Sequence, residues 1–125
     1  TNRAGGAVSQ PAQLIVVQDT NPPTLVSAAA SSNRTQITVT FSEGLEPISA
    51  LNRLNYQVQQ LSPPGGATIA NAVYGSDESM VILIPTVPLT PNAAFLLRVS
   101  NVADFASPPN VISPNPSQTT FTTGP

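Results

Sequence analysis

TQITVTFS, residues 35–42, is the stretch on which the fold turns. Ile37, Val39 and Phe41 fall on one side of an extended chain; Gln36, Thr38 and Thr40 fall on the other. Side chains of a strand alternate between its two faces, so this pattern predicts a strand with one face buried and one in water. TLVSAAA (24–30) precedes it across the polar turn SSNR (31–34), and the two segments read as a hairpin.

Further along the chain the same period returns. NYQVQQ (55–60) places Tyr56 and Val58 inward, and AFLLRVS (94–100) places Phe95, Leu97 and Val99 inward with Arg98 outward. ATIANAVY (67–74) reads as one strand. SMVILI (79–84) is the most apolar run and is expected to be central, packed on both faces or nearly so. TTFTT (119–123) closes the series with Phe121 inward. Ile48, Leu51 and Leu54, spaced by three, predict a short helical turn over 48–54. SPPGG (62–66) reads as a loop and GSDE (75–78) as a turn. Fourteen prolines leave no room for a long amphipathic helix. About seven short strands at roughly ten-residue spacing predict an all-β Greek-key sandwich, which suits segments of uneven length better than a closed barrel does.

Composition narrows the chemistry. The chain has 125 residues, enough for one domain with its own core. It has no cysteine and no histidine, and its four cations are all arginine: Arg3, Arg34, Arg53 and Arg98. Disulfides, thiolate metal sites and the usual catalytic base, thiol and amine are therefore excluded. A net charge of −2 provides no basic field for nucleic acid or an anionic membrane surface. No run is long and apolar enough to insert in a membrane. A Thr/Ser/Asn/Pro-rich chain without lysine predicts an extracellular or cell-surface location. It lacks an initiator Met and an apolar leader, and so reads as a piece of a longer protein.

Two stretches carry a resemblance. PLTPNAAFLLRV (88–99) resembles the corner before the sixth strand of fibronectin type III-like domains. Leu89 would plug the end of the sandwich and Pro91 would set the corner. Asn92 stands where a glycine is familiar, and Asn tolerates the left-handed backbone. Phe95 replaces a tyrosine, so a corner hydroxyl bond is lost. DTNPPTLVS (19–27), VTFSE (39–43), NYQV (55–58), PLTP (88–91) and VAD (102–104), in that order, resemble a bacterial Ig-like module of the kind found in S-layer and other surface proteins. The familiar continuation Ala-Gly-Asn after VAD is here FASPPN (105–110). The resemblance covers 19–123 and implies an Ig-like, fibronectin III-like sandwich, usually in tandem. NRAGGAVS (2–9) and AQLIVV (12–17) look like the last hairpin of an I-set-like immunoglobulin domain. That division gives a remnant terminal strand over 1–18, a linker over 19–23 and the Ig-like domain over 24–125. A lone strand over 1–18 is expected to add to a sheet edge or to pair with a second copy as a homodimer.

The resemblance implies a non-catalytic spacer presenting neighbouring domains of the same polypeptide. The alternative is a recognition module that binds a protein or a glycan through loops 63–66 or 104–115. Six carboxylates are present, and none is nominated as catalytic or cofactor-binding. Asp19, Asp104 and Glu43 are the candidates for a structural calcium, although no Asp-x-Asp-x-Asp loop supports it. The ordinary roles for Asp19 and Asp104 are to start and to cap turns. A glycan platform wants exposed aromatics, and alternation turns most of these six inward. Arg34, Arg53 and Arg98 lie far apart in sequence and are expected on the solvated surface.

Overall fold

A computed structural model describes residues 21–125. The strands are β1 (Leu25–Ala30), β2 (Ile37–Phe41), β3 (Tyr56–Ser62), β4 (Gly65–Ala67), β5 (Ile69–Tyr74), β6 (Met80–Pro85), β7 (Ala94–Val99) and β8 (Ser117–Thr122). A single helical turn α1 (Pro47–Ala50) and a 3-10 turn (Arg53–Asn55) bridge β2 to β3. All pairings are antiparallel, in two sheets ordered β1-β2-β6-β5 and β4-β3-β7-β8. The chain passes between the sheets from β2 to β3, from β4 to β5 and from β6 to β7, which is a Greek-key sandwich. The all-β Ig-like expectation is met.

The inner faces follow the alternation. Ile37, Val39, Phe41, Val58, Phe95, Leu97 and Val99 are all buried, together with Val81, Leu83 and Phe121. The rings of Phe95 and Phe121 stack at 5.2 Å with 9° between their planes, across the β7–β8 pair. Tyr56 is buried too, and its hydroxyl donates to Ala50 O at 2.6 Å, so the polar tip is satisfied.

Two expectations need correction. The segment read as one strand over 67–74 is two: β4 pairs with β3 in one sheet and β5 with β6 in the other. The switch occurs at Thr68, whose carbonyl accepts from Thr86 N at 3.0 Å. This makes eight strands rather than seven, and places β4 partly in the expected loop over 62–66. β6 is central as expected, but Met80, Ile82 and Ile84 are only half-buried, because only the opposite face meets the second sheet. The helical turn forms, and of its apolar triplet only Leu51 packs against the core. Ile48 is 86% exposed and Leu54 69%, while Ala50 and Asn55 are buried.

The long axis of the sandwich has two distinct poles. At the upper pole, Thr24 N donates to Ser42 Oγ and Ser113 N to Pro23 O, tying the start of β1 to the far ends of β2 and the 100–116 loop. At the lower pole the β1–β2 turn meets the 88–92 corner and the end of β8. Leu89 is buried there, and Leu89 N donates to Arg34 O. Asn92 has φ 53°, the left-handed turn expected for it, and its N–H donates to Gly124 O. The expected strand over 12–17, and Asp19, lie outside the described residues.

Candidate functional site

Charge is not spread evenly over the described residues. Carboxylates gather at the upper pole. Glu46 caps α1, accepting from the N–H groups of Ile48 and Ser49 and from the Ser49 hydroxyl. Burial opposes its ionisation, but these hydrogen bonds prevail and hold its carboxyl below the usual range. Ser49 Oγ in turn accepts from Ala103 N, so the cap also anchors the 100–116 loop. Tyr74 donates its hydroxyl to Leu45 O at 2.6 Å. Burial first, and then the nearby charges of Glu78 and Glu46, push its phenol pKa up. Asp77 closes the β5–β6 turn on Ser79, whose hydroxyl and N–H hold its carboxyl low.

Asp104 is 1% exposed. Its Oδ1 accepts from Ala106 N at 3.0 Å and Asn110 N at 2.8 Å, and its Oδ2 from Asn110 Nδ2 at 2.9 Å. The turn-capping role is the one observed: the carboxylate organises FASPPN, the stretch that departs from the familiar pattern. Among the described residues no three His, Cys, Asp or Glu side chains come together as a metal-ligand set, and Asp19, the third calcium candidate beside Glu43 and Asp104, lies outside them. The same loop leaves Phe105 53% exposed beside Gly44, and Val111 and Ile48 are exposed too. Phe105 is the aromatic that the inward rule misses.

Arg53 is exposed as expected, whereas Arg34 and Arg98 are half-buried. Arg34, with φ 63°, is half-buried at the lower pole, not free in solvent. Its Nε donates to Leu89 O at 2.9 Å and its guanidinium to Pro125 O at 3.0 Å. It thereby clamps a hairpin turn, a corner and the chain beyond β8. Arg53 and Arg98, far apart in sequence, line one groove of about 420 Å³ on the outer face of the β4-β3-β7-β8 sheet. Register brings them there: Gln57 pairs with Arg98 and Gln59 with Leu96. Only the pairing of β3 with β7 reveals this cluster. The outward positions of each strand could be read from alternation, but not which ones stand side by side.

Glu46 yields a pH prediction. Its folded-state pKa is lowered, so its contribution to stability is full above the unfolded value near 4.5 and is lost as pH falls through the folded value. Glu46→Gln is expected to cost about 1 kcal/mol at neutral pH, the size of a helix cap. It should also flatten the acid loss of stability below that value. Urea midpoints at about pH 7 and about pH 3 measure both, and an equal deficit at the two pH values would refute the assignment.

Among the described residues no helix is long and apolar enough to cross a membrane. Comparison with solved structures finds the N-terminal part of the bacterial S-layer protein SbsC, with a TM-score of 0.72 and 16% identity over 82% of this chain. Domains 1–6 of the surface layer protein SbsC match with a TM-score of 0.72 and 14% identity over 84% of this chain. The chain spans 23% and 14% of the lengths of those two structures, so the likeness concerns one domain of each. A search of curated proteins gives no match. The family model described as "Bacterial Ig-like domain" matches residues 15–123, which takes in every strand of both sheets. The chain belongs to the bacterial Ig-like domain family.

Proposed function

We propose that this domain is a non-catalytic spacer in a longer cell-surface or secreted protein, bearing tension along its axis and holding neighbouring domains apart. One observation carries the reading: β1 starts at the upper pole and β8 ends at the lower one. A chain that enters at one end and leaves at the other suits an end-to-end string. Six-residue strands at about 3.3 Å per residue give roughly 20 Å of rigid rod per module before the loops are added. The exposed Ile48, Phe105 and Val111 at the upper pole offer a preceding domain an apolar seat. The lysine-free surface and the likeness to S-layer domains favour the exterior location.

Pulling geometry tests this. Force applied between the poles slides β1 along β2 and β8 along β7, loading their ladder bonds together; force across the tops of β1 and β2 opens them one at a time. The chain has no cysteine, so handles can be placed without background. Asn21→Cys with Gly124→Cys gives the first geometry. Asn21→Cys with Gly44→Cys gives the second, and a side chain at Gly44 meets only ordinary contacts. The pole-to-pole pair is expected to unfold at a clearly higher force. Equal or lower force would remove the tension-bearing reading.

A further inference from the structure

The groove shared by Arg53 and Arg98 has the makings of a binding site. It is lined by the outward residues of β3 and β7, by Arg53 and Leu54 of the 3-10 turn and by the β4–β5 crossing at Thr68. No carboxylate lines it, although the chain as a whole is acidic. Two guanidinium groups in one recess repel each other unless an anion lies between them. Arg98 Nε is buried and donates to no described atom. A buried donor left without a partner is costly and uncommon, so an acceptor at this place would be well rewarded. The volume lies within the range of small-ligand sites.

The rest of the lining discriminates among anions. Gln57 and Gln59 each present an amide that donates and accepts, beside the two arginines. Leu54 and Leu96 add aliphatic surface. A phosphate ion would use the arginines and leave the amide oxygens and the aliphatic surface idle. An acidic peptide could pair its backbone amides with Gln57 and Gln59 but has no ring face to lay against Leu54 and Leu96. A sugar acid uses all three features: a carboxylate for the guanidinium fork, hydroxyls that both donate and accept, and the apolar face of its ring. We propose that this groove binds a uronic-acid-containing saccharide, with its carboxylate on Arg98 and Arg53, its hydroxyls on Gln57 and Gln59, and its ring against Leu96 and Leu54. The inference does not depend on the spacer reading, and it moves recognition from the loops to the sheet.

The test is a titration of the full chain by two-dimensional amide NMR. The probes are tetragalacturonate, neutral maltotetraose, a hexaglutamate peptide and inorganic phosphate. Tetragalacturonate is expected to give saturable shifts confined to the groove strands around Gln57, Gln59 and Arg98. Arg98→Gln and Arg53→Gln should each weaken it about tenfold, as expected for loss of one charge-assisted contact. Melting curves check that the variants fold. Arg53 is exposed on its turn, so its variant serves even if Arg98→Gln does not fold. The proposal is overturned if tetragalacturonate gives no saturable shift at about 10 mM, a weak affinity for any specific site. It is equally overturned if maltotetraose, hexaglutamate or phosphate binds as tightly, if the shifts map elsewhere, or if both folded variants bind unchanged.

Discussion

Phe95→Ala is expected to lower unfolding free energy by about 3–5 kcal/mol, the largest effect of any single truncation in this core. The ring is fully buried at the start of β7, between β3 on one side and β8 on the other, and is stacked on Phe121. Its removal forfeits the transfer energy of the ring and leaves a cavity. Strands fixed on both sides by ladder bonds cannot close that cavity. A domain of this size has roughly 5–15 kcal/mol in total, so the variant stands near the limit of folding. At about 4 °C per kcal/mol for a domain near one hundred residues, the melting temperature should fall by about 12–20 °C. Phe121→Ala should cost less, because β8 is a sheet edge and can shift inward. Urea denaturation with an unchanged slope checks both. A loss below about 1.5 kcal/mol for Phe95→Ala would mean that the stacked pair is not the centre of the core.

That centre was legible in advance. Alternation in 35–42 and 94–100 assigned the inner faces because each of these strands has one face on the opposite sheet. The corner was legible too: Asn92 takes the left-handed backbone that a residue in the glycine position must take, and Leu89 is buried above it. The sheet switch at Thr68 was not. A chain that crosses from one sheet to the other keeps its inward side inward, so Ala67 and Ile69 still alternate correctly while their hydrogen-bonding partners change. Which residues of the helical turn face inward is not legible in sequence either. Its register is set by Glu46 capping and by Asn55 Nδ2 reaching Ser49 O, not by the apolar spacing.

The arginines show the same limit. Each looks like a lone surface charge in sequence. Arg34 is held by backbone oxygens 55 and 91 residues away, a distance over which no local pattern speaks. Arg53 and Arg98 become a pair only through the β3–β7 register. Long-range backbone acceptors and cross-strand neighbours are properties of the fold, and residue type alone does not carry them.

Asp104→Ala is the second large effect, expected at about 2–4 kcal/mol. Hydrogen bonds to a charged acceptor contribute roughly 1.5–3 kcal/mol each and do not add fully when they share one carboxylate. The substitution removes the acceptor and keeps the donors. Ala106 N, Asn110 N and Asn110 Nδ2 would then have to find water, and the 104–110 loop must open to admit it. The damage should spread in a defined direction. Ala103 is tied to Ser49 and thereby to the Glu46 cap, and Ala103 O accepts from Glu46 N, so α1 loosens with the loop. The lower pole, held by Arg34, should be untouched. Amide hydrogen exchange distinguishes these regions: protection should fall at Glu46, Ala106 and Asn110 and remain at Leu89 and Asn92. Asp104→Asn keeps the oxygen for the two backbone donors and turns the other position into a donor facing Asn110, so it should cost less than alanine. If alanine and asparagine cost the same, the backbone acceptor bonds are not what makes Asp104 matter. If exchange rises equally at both poles, the loop is not an independent unit, and the polar network at the upper pole is structural only in concert with the core.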